Sequence, residues 1–471
     1  MTLITVPPPA VAHTTDVLGH PRGLVTLAST ELWERISFHG MQALLTLYMA
    51  DQLLLPGHVE KIVGFSRFRT VVESVTGALS TQALAAQIFG LYVGLVYFTP
   101  VFGGLVGDRV LGRRNAVALG ALLMTAGHFC MAFDQSFLLA LLLLILGAGC
   151  LRGNLLSQVG QLYLPEDRRR ADGFQIYYSM VNTGAFIAPL ITGALGKSYG
   201  WHVGFGFAGF GMLAGLIIYV IGHRHVPVDA PRKVTMAATR LTPEERRVVL
   251  VLILLLPALT MFWIAQSQIW NVYNLWARDH VDLTIAGWSM PVPWLQSIDG
   301  IGAVALVPPV LFLWRGLARR GREPDDIAKL GVGCLLFGAS VAWLACGQLV
   351  APTGGRVPLA WAVGFHFLSA IGYLHVQPVA IGLFARTAPK AVNAMMIGVY
   401  FLSIFVGSTI SGRLGGLYEQ LSPLNFWLLH AAIVTAGGSL ILLAARPLRR
   451  ELAPRHPDAR LAVIGRETPA A

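Results

Sequence analysis

The run Phe137-Leu-Leu-Ala-Leu-Leu-Leu-Leu-Ile-Leu-Gly-Ala-Gly-Cys150-Leu-Arg152-Gly-Asn154 decides the class of this chain. Up to Gln161 it carries one formal charge, Arg152, and apolar side chains on every helical face. A bilayer-crossing helix needs about 20 mostly apolar residues, and a helix apolar all round is a buried or membrane helix. Eleven further runs of this kind lie near 24–50, 82–107, 115–133, 173–196, 203–222, 247–277, 292–314, 327–350, 357–385, 391–418 and 424–445. The expected fold class is therefore an all-α membrane protein with twelve transmembrane helices.

Composition agrees. Of 471 residues, 55% are hydrophobic and 13% charged, where a soluble chain carries roughly a quarter charged. That excludes a disordered chain and argues against a cytosolic enzyme of several domains. The net charge is +11, from 35 Lys and Arg against 24 Asp and Glu. A nucleic-acid partner would need those cations clustered on a polar folded surface. Here they fill gaps between apolar runs. Most sit at Arg22, in the gaps after runs two, four, six, eight and ten, and in the tail. The opposite gaps hold only Lys61, Arg67, Arg69, Lys197, Arg278 and Arg356. This asymmetry predicts that both termini are cytoplasmic. The stretch before Gly23 lacks a basic start, a short apolar core and a cleavage site, so it reads as a tail and not as a signal peptide. Cys130, Cys150, Cys334 and Cys346 all lie inside apolar runs and imply no disulfide framework.

The longest internal gap on the basic side, 223–246, contains Pro227, Pro231 and Pro243. It divides the chain into an N-terminal six-helix bundle (1–222) and a C-terminal one (247–446), followed by a tail (447–471). Two bundles with a linker are what alternating access uses, with substrate near the midplane between them. The other long connection, Pro56 to Ser80, has balanced charges and gives no functional signal.

Ionisable groups inside a span are expensive and persist where they face a cavity or a partner. Glu31, Arg35 and His39 fall at i, i+4 and i+8 of the first span, one polar stripe, with Glu34 beside it. Two carboxylates around one guanidinium cannot both be neutralised by it, so one is placed to exchange a proton. The alternative is a structural salt-bridge cluster. Arg152 is a fixed cation suited to a carboxylate ligand, or a partner for one of those glutamates. Asp299, three residues after Gln296, is either a ligand group or a partner for a neighbouring helix. A ligand with a carboxylate at one end and an ammonium at the other would fit between Arg152 and Asp299. Gly196-Lys-Ser-Tyr-Gly200 matches a nucleophile elbow only by chance, since it ends a membrane helix. Ile191 stands where a phosphate loop needs glycine, so no ATP motor is encoded, and any transport by this chain must use a gradient.

The residues at this point resemble the proton-dependent oligopeptide transporters of the major facilitator superfamily, over most of the chain. Glu31-Leu-Trp-Glu34-Arg35-Ile-Ser-Phe-His-Gly40 is similar to that family's E-x-x-E-R-F-x-Y-Y-G. Gly103-Gly-Leu-Val-Gly-Asp108-Arg-Val-Leu-Gly-Arg-Arg114 resembles its cytoplasmic gate motif. Arg168-Arg-Arg-Ala-Asp-Gly-Phe174 leads into Gln175-Ile-Tyr-Tyr-Ser-Met-Val-Asn182-Thr-Gly-Ala-Phe-Ile-Ala-Pro189, similar to the fifth-span signature. Gln377-Pro378 and Met395-Met-Ile-Gly-Val-Tyr-Phe-Leu-Ser403 resemble spans ten and eleven.

The resemblance implies the two-bundle fold and proton-coupled import of di- and tripeptides at a bacterial inner membrane, with protons as coupling ion, no other cofactor and no metal. It implies a small peptide as substrate partner, lipid around the chain, and neither nucleic acid nor an obligate protein partner. It implies proton coupling by Glu31, Glu34 and Arg35, and a gate at Asp108, Arg109 and Arg113. In the pocket it places Arg35, Tyr97, Asn182 and Gln266, and puts Arg152 where the family has a lysine. Departures are expected to matter. Phe38 and His39 replace the motif's tyrosines, which makes His39 a candidate in the proton relay, since its unperturbed pKa is near 6.5. Ser267, in Phe262-Trp-Ile-Ala-Gln-Ser-Gln268, stands where an acid is expected. Tyr373 stands for the glutamate that faces the peptide ammonium, and Asp299 for an asparagine, so Asp299 is the candidate ammonium acceptor. Alternatives are the same fold carrying modified peptides, peptide-like drugs or another carboxylate, outward or uncoupled, and a transporter-like receptor. A membrane-embedded enzyme finds no metal or nucleophile constellation.

Overall fold

A computed structural model of the chain describes residues 17–164, 166–228, 241–351, 355–389 and 391–452. The middle of the expected linker, 229–240, and most of the expected tail lie outside the described residues. Each of the twelve apolar runs forms helix. In lipid the backbone must satisfy its own polar groups, and a long helix does so within one segment.

The helices of the first half are α1 (Arg22–Tyr48), α2 (Phe65–Thr76), α3 (Thr81–Phe98), α4 (Pro100–Val106), α5 (Arg113–Cys130), α6 (Phe137–Gln161), α7 (Arg169–Tyr199) and α8 (Trp201–Gly222). Those of the second half are α9 (Pro243–Ser267), α10 (Val272–His280), α11 (Trp294–Arg319), α12 (Asp326–Val350), α13 (Leu359–Thr387), α14 (Asn393–Gly415) and α15 (Pro423–Leu443), then α16 (Ala445–Leu452). Starts follow local chemistry. Thr242 caps α9 in a reciprocal box with Glu245, with Pro243 at the first helical position. Ser80, Asp325 and Ser422 cap α3, α12 and α15 through side-chain oxygens.

Ten helical segments among the described residues are long and apolar enough to cross a membrane. The other two expected spans, α1 and α5, are helical as well; α1 carries Glu31, Glu34 and Arg35, and α5 opens on Arg113 and Arg114. In α6, Leu139, Leu142 and Leu146 point outward while Leu144, Ala148 and Leu151 are buried. An outward leucine stripe of this length suits lipid and not water.

Two spans differ from single continuous helices. The second breaks at Thr99 and Pro100 into α3 and α4 and ends in a π turn over Gly107–Leu111. The seventh breaks over 268–271 into α9 and α10. The 56–80 connection contains α2, and four two-residue strands add to the all-α expectation. β1 (Val281–Asp282) pairs parallel with β4 (Val357–Pro358). β2 (Thr284–Ile285) pairs antiparallel with β3 (Trp288–Ser289), across a tight turn with positive φ at Ala286 and Gly287.

In the first half α1 packs on α7 and α8, and α5 on α6 and α8. In the second, α12 packs on α13 and α15, and α9 on α14 and α15. The halves meet along α3–α14 and α7–α11. Glycines permit the first seam: a Cβ on Gly90 would lie 2.4 Å from the Ser408 carbonyl and 2.8 Å from the Gly412 Cα. At the end of the molecule reached after odd-numbered spans, the far end, polar contacts join the halves as well. Arg278 meets Asp51, Lys197 donates to the Ser289 carbonyl, and Asn271 lies between Thr46 (3.4 Å) and the Ala86 carbonyl (3.1 Å).

Candidate functional site

The first-span motif faces inward because α1 lies against α7 and α8, with Gly184 of α7 directly on the Arg35 stem. Glu31 and Glu34 are fully buried. Arg35 Nε lies 2.6 Å from Glu31 Oε1 and 3.0 Å from Glu34 Oε2. From α6, Arg152 donates to Glu34 Oε1 through Nε at 3.1 Å and Nη2 at 3.0 Å. Tyr177 of α7 donates to Glu31 Oε2 at 2.6 Å. Two carboxylates and two guanidiniums thus alternate in one chain. Of the two partners open to Arg152, a ligand or a first-span glutamate, the structure shows the glutamate, so Glu31 and Glu34 do not share a single guanidinium. Charges taken out of water are tolerable only when paired this completely.

Arg152 also lies over two rings, Phe38 at 4.1 Å and Tyr97 at 5.7 Å. Phe38, read from sequence only as a lost tyrosine, is the platform beneath the guanidinium. Arg152 Nη1 has no hydrogen-bond partner among the described residues. Tyr373 of α13, in the second half, is half-buried.

His39, one helical turn beyond Arg35, lays its ring 5.2 Å from Trp270, in the break between α9 and α10. Asn182 donates to the Tyr178 carbonyl of its own helix at 2.9 Å. Gln266 is half-buried beside the break. Ser267, where the resemblance expects an acid, bonds Ser408 of α14 at 2.9 Å. Asp299 accepts a hydrogen bond from His366 at 2.6 Å, and the other ring nitrogen of His366 meets the Tyr273 hydroxyl at 2.9 Å. Sequence reading missed His366 and Tyr273, although a histidine inside the tenth apolar run was a signal available to it. Tyr177 stood in the quoted fifth-span motif without a role.

The gate motif is shaped by close approach. A Cβ on Gly103 would lie 1.9 Å from the Gly149 carbonyl oxygen, and one on Gly107 2.2 Å from the Asn154 amide oxygen. Asn154 donates to the Gly103 carbonyl at 2.9 Å. The glycines let α4 lie directly on α6, and the π turn that follows presents Asp108 to Arg113 at 2.8 Å. Arg109 stands beside it in the same turn.

Two sets of membrane helices meeting around a buried group of ionisable side chains are the architecture of a secondary transporter. The model of the POT family matches residues 114–240 and 229–427. This chain belongs to the POT family. It is 28% identical to the peptide transporter YePEPT of Yersinia enterocolitica, over 92% of this chain and 95% of that one. It is 28% identical to a di-/tripeptide transporter of Lactococcus lactis subsp. cremoris, over 91% and 96%. Among solved structures, a peptide transporter POT mutant in complex with alafosfalin is 28% identical and superposes with a TM-score of 0.81, over 93% of this chain and 97% of that one. The chain is a multi-pass membrane protein with the major facilitator fold.

Proposed function

We propose that the protein imports di- and tripeptides with protons, by alternating access between its two halves, with both termini on the cytoplasmic side of an inner membrane. The relatives named as peptide and di-/tripeptide transporters support the cargo. The observation that carries the mechanism is the alternating chain Glu31–Arg35–Glu34–Arg152. While both carboxylates are charged, both guanidiniums are spoken for. A proton on Glu34 removes one negative charge and leaves Arg152 in excess, with Nη1 already unengaged. The peptide carboxylate takes that place. Proton and cargo therefore favour each other's binding, which is the sign symport requires.

Asp299 takes the peptide ammonium from the opposite half, with Tyr97, Tyr373, Asn182 and Gln266 lining the space between. His39, against Trp270, reports the state of the first span to the α9–α10 break. Asp108, Arg109 and Arg113 close the cytoplasmic end. The coupling ion is the proton, and no other cofactor or protein partner enters this scheme. Alafosfalin in a relative's complex, together with Tyr373 in place of an acid, favours as second reading a modified-peptide cargo.

Uptake of labelled di-alanine into proteoliposomes, with and without an inward pH gradient, tests the reading. Accumulation above equilibrium only with the gradient is expected. Equilibration indifferent to the gradient rejects coupling, and no uptake rejects this cargo. Wild-type affinity for di-alanine in Asp299→Asn removes Asp299 from ammonium recognition, and unaltered pH dependence in His39→Tyr removes His39 from the relay.

A further inference from the structure

The charge chain of the first half has a counterpart in the second that neither the resemblance nor the relatives assign. His366 of α13 is fully buried, and both ring nitrogens are engaged by different helices: Nδ1 by Asp299 of α11 at 2.6 Å, Nε2 by Tyr273 of α10 at 2.9 Å. Of the three side chains only Asp299 is partly open, at 22% exposure. Tyr273 is sealed between Phe365, Trp276 and Trp427, with ring centroids 5.3, 5.5 and 6.3 Å away.

We propose that His366 binds and releases a proton, and that α10 reads its protonation state through Tyr273. This rests on the proton-coupled reading above. With one ring proton, Nδ1–H donates to the Asp299 carboxylate and Nε2 accepts from the Tyr273 hydroxyl; the trio carries one negative charge. A proton taken up at Nε2 makes an imidazolium that donates to Asp299 from Nδ1 and to the Tyr273 oxygen from Nε2. The trio is then neutral, and the tyrosine hydrogen has lost its acceptor inside an aromatic shell. Loss of the proton restores the first arrangement. A buried donor left without an acceptor disfavours the geometry that strands it.

That geometry belongs to α10, which the break over 268–271 separates from α9. Arg278 near its end meets Asp51, and Asn271 at its start bonds Thr46 and the Ala86 carbonyl. Protonation of His366 therefore loosens the helix that closes the far end. The other elements around the trio add few ionisable groups. Tyr373 follows on α13, two turns from His366, and is half-buried. α12 presents Phe337 and Trp343 to α13, and α15 presents Trp427.

The test reads protons and distances, not cargo, so its failure is distinct from failure of peptide transport. In the full chain labelled with 15N-histidine, the ring of His366, assigned by its loss in His366→Gln or its displacement in Asp299→Asn, is compared at pH 5 and pH 8. Two N–H nitrogens at pH 5 and one at pH 8 are expected; the same state at both overturns the proposal. Nitroxide labels at Val75 and Ile285, both exposed at the far end, then report opening by pulsed electron resonance. A longer distance component gained at pH 5 is expected in the wild type and lost in both His366→Gln and Tyr273→Phe, with the ring of Tyr273→Phe still titrating. A wild-type pH response in either variant overturns it.

Discussion

Arg152 sends two of its nitrogens to a single oxygen of Glu34, Oε1, at 3.1 and 3.0 Å, and leaves Oε2 to Arg35 at 3.0 Å. One carboxylate thus joins two helices and two cations. Removing one member leaves another buried and uncompensated, which typically costs about 3–5 kcal/mol. Arg152→Ala should lower thermal stability in detergent by an amount of that order. Arg152→Lys keeps the charge but not the fork, and should recover most of the stability while weakening peptide affinity. Equal melting of Arg152→Ala and wild type would show the pair to be incidental.

Tyr177 holds the other carboxylate. Its hydroxyl donates to Glu31 Oε2 at 2.6 Å from a buried position. Hydrogen bonds to charged groups contribute about 1.5–3 kcal/mol. Tyr177→Phe should therefore destabilise the protein within that range and reduce gradient-driven uptake, while counterflow exchange of peptide persists. Loss of counterflow as well would place Tyr177 in cargo binding.

The close contact of α4 with α6 depends on Gly103, where a Cβ would meet the Gly149 carbonyl at 1.9 Å. Backbone cannot retreat as a side-chain tip can. Overpacking of this sort costs about 1–3 kcal/mol, so Gly103→Ala should lower the melting temperature. Gly104→Ala is the control, because nothing lies within 4 Å of its Cβ position. Similar melting of the two variants would contradict the tight α4–α6 contact.

Glu73 closes the end of α2. It accepts from the Leu79 backbone N–H at 3.1 Å and from Arg69 at 2.9 Å. Chiefly the backbone bond, with Arg69 second, holds its carboxyl below the usual range. A depressed folded-state pKa gives stability that is present above the ordinary glutamate value and is lost as pH falls through the folded one. Limited proteolysis of the 54–80 connection should accelerate on acidification through that window. In Glu73→Gln the same cleavage should be fast at every pH and insensitive to acid.

That the chain is a many-helix membrane protein was legible because long apolar runs form membrane helices, and all twelve runs are helical, ten of them long and apolar enough to cross among the described residues. Glu31, Arg35 and Arg152 stood out because charge in such runs is expensive. Sequence also offered two partners for Arg152, a ligand or a glutamate, and no periodicity chooses between them. The fold chose Glu34, by setting α6 against α1. His366 shows the opposite case. A histidine among apolar residues reads equally as core or as site, and only the meeting of α10, α11 and α13 gave it Tyr273 and Asp299. The break at Asn271, between α9 and α10, was hidden too, because hydropathy continues across it while the backbone leaves the helical conformation there.

By itself, then, the sequence determined what lies in the membrane and which few charges it must accommodate there. Those follow from one-dimensional quantities, run length and side-chain polarity. Tertiary structure decided which charges neutralise one another. An ion pair depends on distance across helices, and residues 118 positions apart, such as Glu34 and Arg152, become neighbours only after packing.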